Sequence, residues 1–259
     1  MREDGDPNGK TVMLIHGFGG SLHWFDAVVP YLIPEYRVIR TDLNGHGCTG
    51  GNHGLDVASQ ARTQAAVLDR LDSSDATVAG HSLGADIAVA MGGETPRVTR
   101  VMIVGQAPDF ESAHFPAANR LMTVPILGHV LHRTAPRAVI RVSMQGAFRP
   151  GYDQRRGFRD PDQLIHDFRA MHPDMYRANL IDRRVRLEQC PLDTKSRNSS
   201  VATTVVLGRL DQFFDCDLDA ARYRKAGIPV HIVEETGHSI HVEQPGRLAS
   251  QIKAFTTTS

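Results

Sequence analysis

Apolar residues along this chain group into two alternating rhythms. Six short, nearly continuous runs read as strands: TVMLI at 11–15, YRVIRT at 36–41, TVA at 77–79, RVMIVGQAP at 100–108, VATTVVLG at 201–208 and PVHIVEE at 229–235. Their length and β-branched content are those of strands covered on both faces, as in a parallel sheet. Between them, residues 57–71, the stretch after 82 and the stretch from 246 onward repeat apolar positions at helical spacing. The alternation predicts an α/β chain, a mostly parallel sheet flanked by helices. Residues 1–10 are polar and are expected to be frayed, too short for a hairpin ahead of TVMLI, so the sheet is expected to begin there. From Phe110 to Asn198 the strand signals fade, and helical spacing recurs between prolines 116, 125, 136, 150, 161, 173 and 191. An insertion there would lie over the carboxyl ends of the strands, where open α/β sheets bind ligands.

One stretch joins a strand, a tight turn and a helix around a single serine. TVAGHSLGADIAVA, residues 77–90, contains the pattern GxSxG centred on Ser82, with Gly80 and Gly84 where a Cβ would crowd neighbouring backbone. Such a turn holds a serine Oγ clear of both elements and aims the first helical amides at developing negative charge, Leu83 supplying one of them. Two further glycine-rich turns follow strands: HGFGGS at 16–21, and DLNGHGCTGG from Asp42, whose Asp42 and His46 are expected to build the loop rather than act chemically. Trp24 and Phe25 open an amphipathic segment ending near Leu32 and are expected in the core.

Charge narrows the range of partners. Lys plus Arg and Asp plus Glu number 29 each, which gives no electrostatic footprint for nucleic acid or a membrane surface. The middle of the chain is uneven, with 15 basic against 9 acidic residues between Phe110 and Asn198. Cys48, Cys190 and Cys216 are few and lack metal-ligand spacing, which suits a reducing compartment. The N-terminal residues lack the apolar core of a signal peptide, and no run approaches the length of a membrane span, so a cytoplasmic protein is expected. The histidines show no HExxH or paired-cysteine pattern; neither metal nor cofactor is expected.

From about Thr11 to Phe255 these stations, in this order, resemble the α/β-hydrolase superfamily, specifically its small cap-bearing serine esterase-like members. The resemblance implies a hydrolase core at 1–109 and 199–259, with a helical cap at 110–198 inserted after the sixth strand of the family's sheet. It implies an oxyanion hole from the amide of Leu83 with that of Phe18 or Gly19. It implies a triad of Ser82, Asp211 in GRLD after the 201–208 strand, and His238 in the GHxxxxExP setting completed by Glu243 and Pro245. Asp109, past the end of the 100–108 strand, is the competing acid, and His241 the competing histidine. Asp215, Asp217 and Asp219 read as helix-start and surface charges. Met122, Met144 and Phe148 are expected in an apolar substrate pocket.

The activity implied is hydrolysis of a carboxylic ester, lactone or thioester of a small to medium organic molecule through an acyl-enzyme. The alternatives are carbon–carbon bond hydrolysis or cofactor-free perhydrolysis with the same triad, and a non-hydrolytic lyase or ligand receptor on the same scaffold. Serine at 82 disfavours the dehalogenase and epoxide-hydrolase relatives, whose nucleophile is an aspartate. The expected partner is a small-molecule substrate, with no nucleic acid or membrane, and oligomeric state is left open.

Overall fold

A seven-stranded sheet in the order β1-β3-β2-β4-β5-β6-β7 organises residues 1–257, those described by the computed structural model. The strands are β1 (Arg2–Gly5), β2 (Lys10–Ile15), β3 (Tyr36–Thr41), β4 (Ala76–His81), β5 (Val98–Val104), β6 (Ala202–Gly208) and β7 (Val230–Val233). Every pairing is parallel except that of β1 with β3. Successive side chains of a strand point to opposite faces, and both faces are buried here. Met13 and Ile15 of β2, with Val101 and Ile103 of β5, enter one apolar cluster, whereas Val12, Leu14, Met102 and Val104 enter the other. The helices Val57–Arg70, Leu83–Met91 and Cys216–Lys225 cover the first face. Phe25, Val28, Leu32 and the closing helix Pro245–Thr257 cover the second. The amphipathic stretch at 24–32 is realised as a 3-10 turn, Leu22–Phe25, and one helical turn, Val29–Leu32.

The expectation of a frayed start is corrected by β1, which pairs antiparallel with β3 from Arg2↔Arg40 to Gly5↔Arg37. Its side chains are mostly exposed, so no apolar alternation marks it in the sequence. Backbone pairing and charge hold it: Arg37 Nε lies 2.8 Å from Glu3 Oε1, and Arg40 Nη2 lies 2.6 Å from Asp4 Oδ2.

Between β5 and β6 the regular elements among the described residues are helical, including Leu127–Thr134, Arg137–Met144 and Gln163–Ala170. A further run from Met175 to Gln189 is interrupted by a π-helical turn at Ala178–Asp182. Such turns are rare and cluster at functional sites. No helix among the described residues is long and apolar enough to cross a membrane.

Candidate active site

Ser82 sits at the junction of β4 and the helix Leu83–Met91 with φ 51° and ψ −115°, a backbone conformation rarely tolerated by a residue with a side chain. The surroundings enforce it. Ser82 N donates to Val104 O at 2.9 Å, and the first helical turn closes with Ala85 N on Ser82 O at 2.9 Å. The helix start packs so tightly on the end of β2 that a Cβ at Gly84 would lie 2.4 Å from Ile15 O. This contact is why the second glycine of the motif is needed.

The turn after β2 lies directly against the serine, since a Cβ on Gly17 would come within 3.1 Å of Ser82 Cβ. Two neutral histidines fix its path. His16 Nδ1 donates to Gly17 O at 2.8 Å, leaving Nε2 to accept from Leu43 N at 3.1 Å. His46 Nε2 accepts from Gly19 N at 3.2 Å. Burial lowers the pKa of both, that of His46 to about 3 with help from neighbouring His16, so neither brings charge to the site. Gly19's amide is therefore engaged, whereas the amides of Phe18 and Leu83 have no acceptor among the described residues. Asp42 accepts from Cys48 N at 3.0 Å, closing its own loop, and from Leu22 N at 2.8 Å, tying that loop to the turn after β2.

Asp211 and His238, 27 residues apart in sequence, meet at the carboxyl ends of β6 and β7. His238 Nδ1 lies 2.8 Å from Asp211 Oδ2, and the other carboxylate oxygen accepts from Phe213 N at 2.7 Å and Phe214 N at 3.3 Å. With Nδ1–H committed to the carboxylate, Nε2 is the acceptor face of the ring. The loop bearing His238 is tied twice. Its carbonyl accepts from His81 Nε2 at 3.1 Å, and Glu243 accepts from Gly237 N and Arg149 N, each at 3.1 Å. Desolvation pushes the Glu243 carboxyl up to about 7.

The competitors are elsewhere. Asp109 is held by Arg222, Nη2 to Oδ2 at 2.8 Å. His241 is fully buried, stacked on Trp24 with ring centroids 5.7 Å apart, its pKa lowered to about 3 by burial. Asp215 does start a helix, accepting from Asp217 N and Leu218 N at 3.0 Å. Asp219 departs from the expected surface role: it is 1% exposed and both its oxygens take the Ser112 hydroxyl, at 2.9 and 3.0 Å.

Ser82 and His238 line one cavity of about 410 Å³ beneath the helical segment. Ser82 Oγ is not hydrogen-bonded among the described residues, a looseness common in unliganded sites. Phe18, Met122, Leu131, Val139, Met144 and Tyr176 give the cavity apolar walls, and His81, Asn119, Thr134, Ser143, Asn179 and Arg183 are among its polar ones. Met122 and Met144 are thus at the cavity, whereas Phe148 is not. Its ring is fully buried between Trp24, 6.1 Å away, and Tyr152, 5.4 Å away. Trp24, whose sequence setting points to the core, also reaches the cavity, its Nε1 donating to Asp167 Oδ2 at 2.8 Å across 143 residues. Nothing local in sequence marks that partner, nor the pairing of Arg183 with the elbow.

The chain belongs to the alpha/beta hydrolase family, whose model matches residues 12–251. Over 98% of its length it is 37% identical to a dihydrolipoyllysine-residue acetyltransferase component of the acetoin cleaving system from Pseudomonas putida, of which the match covers 65%. The chain spans between 38% and 65% of the length of the first curated relatives it matches. Among solved structures it superposes on a putative aryl esterase from Burkholderia cenocepacia with a TM-score of 0.80 at 21% identity, covering 98% of this chain and 92% of the other. On the N-acyl homoserine lactonase AidH in complex with N-butanoyl homoserine the TM-score is 0.79 at 19% identity, covering 100% and 93%.

Proposed function

We propose that this chain is a serine hydrolase that cleaves a carboxylic ester, lactone or thioester of a small to medium organic molecule through an acyl-enzyme. The observation that carries the reading is the strained Ser82 turn sharing a cavity with His238, whose Nδ1 is held by Asp211. His238 Nε2 takes the Ser82 proton as Oγ attacks the acyl carbon, and Asp211 holds the tautomer and stabilises the imidazolium. The amides of Phe18 and Leu83 receive the oxyanion, and the protonated His238 releases the leaving group. Water, deprotonated by the same ring, then frees the acid. Residues 110–198 act as the cap over a core of 1–109 and 199–259, of which 258 and 259 lie outside the described residues. Their names make esters and lactones of the two solved neighbours the first substrates to try.

Turnover of nitrophenyl esters from acetate to octanoate, compared between wild type and Ser82→Ala, tests the reading. Serine-dependent hydrolysis is expected, with a preferred acyl length set by the cavity. Equal rates for the two proteins would overturn the nucleophile, and the absence of turnover together with no labelling of Ser82 by a fluorophosphonate would overturn acyl transfer.

A further inference from the structure

The polar wall of the cavity is built from inside the elbow outward. Asp86 lies within the apolar helix Leu83–Met91 and has no exposure to solvent. A buried carboxylate requires charged partners, and it has two from the helical segment: Arg183, whose Nε lies 2.9 Å from Oδ2, and Arg186 on Oδ1. Arg183 is itself 3% exposed, and both of its Nη atoms bond the site's framework. Nη2 donates to Gln106 Oε1 at 2.7 Å and lies 3.4 Å from the carbonyl of Ser82; Nη1 donates to Asn179 Oδ1 at 3.2 Å. One guanidinium therefore spans the backbone of the nucleophile and the side-chain amide of Asn179.

That arrangement decides which way the amide faces. A guanidinium offers only donors, so the Asn179 atom against it is the carbonyl oxygen, and Nδ2 is turned away from Arg183. Nδ2 has no acceptor among the described residues, is not sealed from solvent, and belongs to a residue that lines the cavity with Ser82 and His238. The π-helical turn Ala178–Asp182, which gives up regular helical bonding, carries it. In a cavity whose other walls are largely apolar, an oriented donor with nothing to bind is a reader of substrate chemistry.

We infer that Asn179 is a specificity-determining residue: Nδ2 donates to a second carbonyl oxygen of the substrate, so favoured substrates are esters or lactones that also carry a keto or amide carbonyl. This rests on the acyl-transfer reading above. Asp86 and Arg183 are positioning residues for that donor.

The test compares kcat/KM for hexanoate esters with that for their keto- and amide-bearing analogues, the second carbonyl being stepped along the acyl chain and then the alcohol, by wild type, Asn179→Asp and Asn179→Leu. Asn179→Asp keeps an oxygen for Arg183 and removes the donor; Asn179→Leu keeps the volume without polarity. Wild type is expected to prefer one carbonyl position over the plain ester, and both variants to lose about 3- to 10-fold of that ratio, the worth of one hydrogen bond. Taking the ratio cancels any general loss of activity. A flat wild-type series overturns the inference whatever the variants do, and so does a preference that survives in either variant. If wild type turns over the plain ester and the ratio fails, only this inference falls; if it turns over no ester and Ser82 is not labelled, the acyl-transfer reading falls with it.

Discussion

Single residues at this site are constrained more by what surrounds them than by what they are. Two carboxylates, Asp109 and Asp211, both follow sheet strands, but Asp109 is neutralised by Arg222 while Asp211 holds His238 Nδ1 at 2.8 Å. Asp211→Asn is accordingly expected to lower kcat by orders of magnitude, roughly 10⁴ by analogy with other mistuned triads, and Asp109→Asn to change it little. Steady-state kinetics on one ester decides between them; the reverse ranking would move the acid to Asp109. Gly84 is a second case. Its missing Cβ would sit 2.4 Å from Ile15 O, a backbone atom that cannot swing away. Gly84→Ala should destabilise the protein by about 1–3 kcal/mol, the range for overpacking, seen as a lower Tm together with reduced activity as the elbow is pushed open. An unchanged Tm would mean that the contact yields.

Elements are tied together here by buried polar groups, and some of these ties titrate. Asp219 docks the helix Cys216–Lys225 onto the segment after β5 through Ser112, and burial pushes its carboxyl up to about 7. In the unfolded chain the same group ionises near pH 3.9. Between those values the folded protein holds a proton that the unfolded one has lost, so this group's contribution to stability falls as pH rises from about 4 to about 7 and levels off above. Asp219→Asn, which cannot ionise, should therefore raise Tm relative to wild type more at pH 8 than at pH 5, by at least about 2 °C for a chain of this size. Thermal melts at the two pH values check it, and a difference that grows toward acid would reverse the sign argued here. The tie from Trp24 Nε1 to Asp167 similarly fastens the 3-10 turn Leu22–Phe25 to the helix Gln163–Ala170. It puts an indole at both the core and the cavity wall.

Across the whole molecule, stability rests on a sheet buried on both faces, with β1 as a polar addition at its edge. Deleting residues 1–5 should leave the fold intact but cost about 1–2 kcal/mol, because Arg40 loses Asp4 and retains Asp26 and Leu22 O. Circular dichroism with a thermal melt reads this, and a deletion protein with no cooperative transition would show that β1 is integral. Legibility in the sequence follows the same division. The apolar runs at β2 to β6 stand where strands are largely hidden on both faces and so are apolar almost throughout, while β7, a partly exposed strand at the other edge, is legible because three of its four residues are apolar. β1 carries no such signal because its side chains are mostly exposed at the sheet edge. Met122 and Met144 reached the cavity, whereas Phe148, equally apolar and from the same helical segment, filled the space between Trp24 and Tyr152. Hydrophobicity alone does not distinguish a pocket wall from a core.

The sequence by itself therefore determined the α/β class, the places of β2 to β7 along the chain and the local turns that carry Ser82, Asp211 and His238, since each depends on residues a few positions apart. Only the tertiary structure decided which of two acids faces the histidine, which loop amide is left free, and how Asp86, Arg183 and Asn179 join into one chain of contacts. Asp211 and His238 are 27 residues apart and Asp86 and Arg183 are 97 apart; such pairings are fixed by the closure of the chain around the sheet, where burial obliges each polar group to find a partner that no local pattern names.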